Sequence, residues 1–187
     1  ETLLFKALRE VRAAQLDAAR KTIAQLIDQY PNFRLAHLIH GDLLMAKAKP
    51  LQSFGNASSR TPEAINELRD EANARLQRSQ ESIPVEKIPS HFWRVAPDAA
   101  HAMALDIDRS RLYLFENRNG QLVRIADFYA TIGKGGSGKA KEGDLRTPIG
   151  AYRMQVAIPK QKLSDFYGAG AYPLDYPNDW DRRNNRS

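Results

Sequence analysis

Residues 133–140 (GKGGSGKA) hold the densest chemistry-like spacing in the chain. Gly133, Gly135 and Gly138 fit the dinucleotide pattern GxGxxG, and Gly133, Gly138 and Lys139 fit the opening of a phosphate-binding P-loop. Both motifs work only when a helix follows at once, because its first amides and its dipole hold the phosphates. The continuation, residues 141–150 (KEGDLRTPIG), is kept out of a helix by glycine and proline. Ala140 also stands where a P-loop presents a hydroxyl to magnesium. No nucleotide and no cofactor is expected here.

Three other groupings carry less. His37 and His40 lie three apart on a helical stretch, a spacing able to grip a metal. No acid completes the set, so helix-surface histidines are the better reading and no metal is expected. Asp175, Asp179 and Asp181 resemble a carboxylate cluster, but Pro173, Pro177 and Asn178 make them turn residues first. The serines lie in turns and loops, with no nucleophile elbow and no readable Ser-His-Asp order. The 187 residues include no cysteine, so neither a disulfide nor a thiolate nucleophile is available within them.

A hydrophobic fraction of 42% with 27% charged residues is ordinary for a globular protein. No apolar run approaches the roughly 20 residues needed to span a bilayer. The chain starts in helical sequence, without the basic head and apolar core of a secretory signal. The net charge is +6 and the pI about 9.6, with Lys134, Lys139, Lys141 and Arg146 in one loop. A solvated basic loop is the preferred reading. Nucleic acid is not expected, since the chain lacks aromatic–basic interleaving and a reading helix.

The elements that must position these residues change character along the chain. Leu4, Leu8 and Val11 share a helical face, and Ile23, Leu26, Ile27 and Tyr30 repeat the spacing. Asp17 is the expected N-cap between these helices, and Pro31 the stop of the second. A third helix turns Leu35, Leu38, Ile39 and Leu43 inward. This order resembles one and a half tetratricopeptide repeats. Residues 49–60 read as a loop, and Thr61 with Pro62 opens a fourth helix carrying Ile65, Leu68, Ala72 and Leu76. Pro84 and Pro89 mark a join.

From Ala102 the period becomes two. Residues 111–116 (RLYLFE) read as a strand, residues 117–120 (NRNG) as a hairpin turn and 121–131 as the returning strand. Tyr152, Met154 and Val156 predict a fourth strand over 151–156. Thr147, Pro148, Ile149 and Gly150 carry no acid, base or nucleophile and are expected to act as a structural hinge. The fold class expected is α+β, with a helical region over 1–82, a linker over 83–101 and an antiparallel β domain over 102–187.

Residues 104–122 (ALDIDRSRLYLFENRNGQL), 130–134 (ATIGK), 142–152 (EGDLRTPIGAY) and 163–183 (LSDFYGAGAYPLDYPNDWDRR) follow one another in a specific order. Together they resemble the L,D-transpeptidase catalytic domain of YkuD type, over about 102–187. The resemblance implies a cell-wall enzyme whose cysteine thiolate, kept ionised by a histidine, attacks a peptidoglycan stem peptide, with backbone amides holding the oxyanion. In the family both residues follow the segment matching 182–187, in a strand ending His-Gly and a loop ending Gly-Cys. Neither is present, so no catalytic residue is assigned and these residues alone are expected to be inactive. The preferred expectation is a parent chain that continues; a degenerate relative that only binds is the other. The resemblance further implies a bacterial periplasmic or cell-envelope setting and a role in cell-wall biogenesis and cell shape. Peptidoglycan stem peptides are the implied partners, with a possible protein partner on the helical region. Lys134, Arg146, Tyr167 and Tyr172 are the expected substrate-binding residues, the cations for stem carboxylates and the tyrosines as flat walls.

Overall fold

The computed structural model describes residues 1–46, 55, 62–81, 84, 87–92, 94–164 and 167–187. The expected loop over 49–60, apart from Gly55, and the N-cap position Thr61 lie outside them. Four helices come first: α1 (Thr2–Arg12), α2 (Leu16–Gln29), α3 (Arg34–Met45) and α4 (Pro62–Gln80). Then follow β1 (His101–Asp106), β2 (Arg111–Arg118), β3 (Gln121–Tyr129), β4 (Ile158–Pro159), β5 (Gly170–Ala171) and the short α5 (Asp179–Arg183). The class is α+β, with the antiparallel part after the helices. No helix among the described residues is long and apolar enough to cross a membrane.

Two compact units divide the chain: Glu1–Ala102 with Leu114–Tyr129, and Met103–Tyr113 with Ala130–Ser187. In the first, α1, α2 and α3 close on Leu4, Ala19, Ile23, Leu26, Leu35, Ile39 and Leu43, all buried. Each large aliphatic side chain so placed contributes about 1.5–3 kcal/mol against exposure. The α1–α2 turn runs through Ala14 at a φ of 58°, and α2 takes Gln15 as its N-cap. Asp17 is therefore not the cap. It lies inside the first turn, where its charge faces the positive end of the helix dipole. Pro31 ends α2 as expected, with Tyr30 in a non-helical conformation before it.

The same unit ties α4 to β3 through two arginines. Arg78 makes a two-pronged contact with Asp127, Nε to Oδ1 at 3.1 Å and Nη2 to Oδ2 at 2.8 Å. The Arg75 guanidinium lies 5.2 Å from the Phe33 ring centroid and 4.5 Å from that of Tyr129. It also pairs with Glu71 at 2.7 Å and Glu1 at 2.6 Å. Burial, helped by the Glu71 charge, pushes the Tyr129 hydroxyl pKa up. The stretch expected as a linker is partly tied to β2: the Phe92 ring meets Phe115 edge-on at 5.6 Å. The Asn117 side-chain amide donates to the carbonyls of Ala96 and Ala99.

Strand order in the first sheet is β1-β2-β3. Along β2, Arg111, Tyr113 and Phe115 are buried while their neighbours are half-buried, the period-two pattern read from the sequence. Asn119 and Gly120 form the two-residue turn with φ of 55° and 90°, the left-handed pair that matches strand twist. Asn117 Oδ1 accepts from the Gly120 amide at 2.8 Å and closes it.

The expected fourth strand over 151–156 does not form. Met154 makes only an isolated antiparallel bridge to Leu174, and the named strand, β4, begins later and pairs Ile158 with Ala171. Between these two pairings the first side has one residue more than the second, a bulge-like slip. Pro173, facing this stretch, offers a carbonyl to Gln155 N but has no N–H to return. The Asp175 side chain takes the Arg153 amide at 2.8 Å in place of a backbone carbonyl.

Candidate functional site

The glycine-rich loop and α5 both belong to the second unit, and each is built around one carboxylate. Residues 133–137 lie alongside 144–147: Gly135 N donates to Leu145 O at 2.9 Å and Thr147 N to Gly136 O at 2.9 Å. Thr147 Oγ1 accepts from the Gly133 amide at 2.8 Å, so the hinge segment holds the loop by a side chain. A Cβ on Gly133 would run into the Leu145 carbonyl, and one on Gly135 would meet the Asp144 carbonyl oxygen at 2.6 Å. These glycines exist for backbone packing. That explains a phosphate-like spacing in a loop followed by turns rather than a helix.

Asp144 organises the return of the loop. Its carboxylate accepts from the amides of Ala140 at 2.8 Å, Lys141 at 3.1 Å and Arg146 at 3.0 Å, and from Lys139 Nζ at 2.9 Å. Desolvation alone would push its pKa up. The amides of Ala140 and Arg146, then the Lys139 ammonium and the Lys141 amide, outweigh that and hold it well below the usual carboxylate range. Lys139 also stands 5.4 Å over the Tyr176 ring, which brings the loop to the segment before α5.

At α5 the local sequence does more than turn. Asn178 is the N-cap: its Oδ1 accepts from Trp180 N at 3.0 Å and Asp181 N at 3.1 Å, while Asp181 Oδ2 accepts from Asn178 N at 3.2 Å. This reciprocal capping box satisfies donors the helix start would otherwise orphan. Asp181 is 0% exposed, and its Oδ1 receives the Tyr152 hydroxyl at 3.2 Å and Arg186 Nη1 at 3.4 Å. Burial, then the hydrogen bond to Asp181 and its charge, pushes the Tyr152 hydroxyl up to about 12. The acids expected as turn residues thus have three separate places. Asp175 caps the Arg153 amide, Asp179 opens α5 and Asp181 is its buried anchor. The signal for the anchor was readable, since Asn178 followed three residues later by Asp181 is a capping-box pattern.

Beside α5 an open cleft of about 320 Å³ is lined by Gln155, Asp175, Tyr176, Asn178, Asp179 and Arg182, among others. None of the four residues expected to bind substrate lines it. Lys134 and Arg146 come from the two paired segments of the loop, and both are exposed. Tyr167 and Tyr172 flank β5 and are exposed as well. His37 is occupied structurally, its Nε2 lying 2.7 Å from the Pro31 carbonyl. Among the described residues no three His, Asp or Glu side chains are grouped to hold a metal. The arrangement can therefore position loops and offer charged contacts, and with no cysteine it contains no thiolate.

Residues 101–187 match the family model of YkuD, the L,D-transpeptidase catalytic domain, and that is what this stretch of the chain is similar to. A solved structure, that of Bdellovibrio bacteriovorus Bd1075, is 30% identical in sequence and matches with a TM-score of 0.40. The match covers 48% of this chain and 31% of that one, so the chain spans under a third of that structure's length. No curated protein matches the chain.

Proposed function

We propose that the chain is part of a peptidoglycan L,D-transpeptidase, or of a related enzyme of stem-peptide acyl transfer or hydrolysis, acting at the bacterial cell envelope. The observation that carries this reading is the family match over 101–187, where the β hairpin, the packed glycine loop and the TPIG segment occur in sequence. Residues 1–82 are proposed as a tetratricopeptide-like domain offering a surface to a protein partner, 83–101 as the join and 102–187 as the transpeptidase part. Lys134, Arg146, Tyr167 and Tyr172 are proposed to face the stem peptide, cations toward its carboxylates and rings along its backbone. No nucleotide role is proposed for residues 133–143; Gly133 and Gly135 are used by backbone packing and Lys139 by Asp144.

The absence of cysteine favours one second reading, a non-catalytic adaptor that binds peptidoglycan through the β region. Purified chain incubated with a disaccharide tetrapeptide tests both. The expected result is retention on peptidoglycan sacculi and no release or exchange of the terminal residue. Turnover by a preparation free of longer species would sink the assignment of thiolate chemistry to residues outside this chain. Failure to be retained on sacculi would remove the envelope role from both readings.

A further inference from the structure

The cleft beside α5 is lined by charged and polar groups of both kinds, and several of their bonding positions are unspent. Asn178 is mostly spent: its Oδ1 serves the amides of Trp180 and Asp181, and one of the two Nδ2 hydrogens goes to the Ala151 carbonyl at 3.0 Å. Tyr176 directs its hydroxyl to the Ser187 carbonyl at 3.4 Å, which leaves its ring as wall. Asp175 accepts the Arg153 amide on Oδ1 only, and its Oδ2 has no partner among the described residues. Arg182 gives one Nη1 contact to Asp179 at 3.1 Å, and both side chains of that pair are largely exposed. An exposed pair of this kind is worth about 0–1 kcal/mol, so a ligand can share or displace it cheaply. The Gln155 side-chain amide likewise has no partner among the described residues. One guanidinium edge, carboxylate oxygens and a primary amide therefore converge on one concavity.

Between Asp179 and Arg182 on α5, Asp181 is fully buried and held by Tyr152, Arg186 and the capping box, so the backbone that carries the two exposed side chains is anchored. An anchored frame leaves less entropy to lose on taking a ligand. Its volume of about 320 Å³ is at the lower end of small-ligand pockets, roughly 300–1,000 Å³. That suits one amino-acid-sized group.

We propose that this cleft is a binding site for an amino-acid zwitterion, its carboxylate on the Arg182 guanidinium and its ammonium on Asp175, with Asp179 and Gln155 completing the ring of polar contacts. A lone carboxylate would meet two acids for one base, and a lone ammonium would leave the guanidinium edge unused. The inference concerns binding alone and does not depend on the transpeptidase reading; either can fail while the other stands.

Calorimetric titration of the full chain with alanine tests it, with ethylamine and propionate as single-charge controls. Alanine is expected to bind saturably and both controls about tenfold more weakly or worse, as loss of one charge-assisted contact implies. Arg182→Gln and Asp175→Asn are each expected to weaken alanine about tenfold. Asparagine can still accept the Arg153 amide, so the second variant keeps the local fold, and an unchanged melting temperature verifies this. Gln155→Ala, which removes an uncharged contact, is expected to weaken binding by less than either. Tighter binding of Nε-acetyl-lysine than of alanine would point to a zwitterion carried at the tip of a larger molecule, equal binding to the free amino acid. Equal responses to alanine and the controls, the absence of saturation, or full affinity in both charge variants would overturn the proposal.

Discussion

The helical part of the first unit and residues 130–187 of the second are held together by different physics. In α1–α3 the interior is mainly aliphatic, with Thr22 and Asp42 also buried, and the most buried side chains are Leu4, Ile23, Leu35 and Ile39. Among the described residues of 130–187 the fully buried side chain is Asp181, whereas Val156 is 88% and Leu145 64% exposed. Order there comes from carboxylates that each collect several donors, Asp144 in the loop and Asp181 at α5. Hydrophobic packing is non-directional and tolerant of small shifts in its parts. A carboxylate hub is directional and fails as a unit when the acid is removed. A region made mostly of loops can thus be shaped without a thick core.

The largest effect expected from this contrast is in the helices. Leu35→Ala should cost about 2–5 kcal/mol, read as a lower urea midpoint of the helical signal. A loss under 1 kcal/mol (well below that range) would mean the aliphatic core is not the main support. Asp181→Ala comes next, at about 1–3 kcal/mol, because Tyr152, Arg186 and the Asn178 amide lose their acceptor. Amide hydrogen exchange should speed up over 178–186 while α1–α3 stay protected. Uniform loss of protection would erase the distinction between the regions.

The two titrations probe the hubs with opposite signs. The Asp144 pKa is lowered on folding, so its stabilisation is present above the ordinary carboxylate value of about 3.9. It should persist through mild acid and fade only as the pH falls well below that value, with loop amide signals of 139–146 as the readout. Tyr152 is raised to about 12, so its contribution is intact below the ordinary tyrosine value of about 10 and is lost between the two. The tyrosinate absorbance step removed by Tyr152→Phe should lie at the upper end of that window. The smallest effect is Val156→Ala, expected within about 0.5 kcal/mol of neutral in the same urea titration. A cost matching that of Leu35→Ala would place a hidden apolar core in the second unit.

The fold was legible where one period dominated. Leu35, Ile39 and Leu43 repeat at helical spacing and are buried, and the alternation through Tyr113 and Phe115 ends at an Asn-Gly turn of the expected hand. Met154 and Val156 show the same alternation without forming a strand, because the facing stretch contains Pro173 and no layer covers Val156. Alternation signals a strand only when something buries one face. Asp17 differs for a similar reason: its residue type suggests a cap, but the turn at Ala14 sets where the helix begins. Of the site, the packing role of Gly133 and Gly135 depends on the carbonyls of Leu145 and Asp144, a contact across the loop that spacing cannot display. The cleft likewise depends on Gln155 standing near Asp175 and Arg182, which are distant in sequence. Lys134, Arg146, Tyr167 and Tyr172 were chosen by side-chain chemistry alone, which says nothing of where loops carry them.

The bond between Arg78 and Asp127 bears on how this chain can be handled. The family match begins at residue 101, an inviting place to cut a gene for separate expression of the β region. Such a cut would discard Arg75 and Arg78 of α4, taking Arg78 from Asp127 and Arg75 from Tyr129 on β3. It would also remove Phe92 from the ring of Phe115, baring an aromatic surface on a sheet already short of cover. The expected product is a sticky, poorly soluble fragment, and a boundary placed ahead of Pro62 is the better place to start a shortened clone.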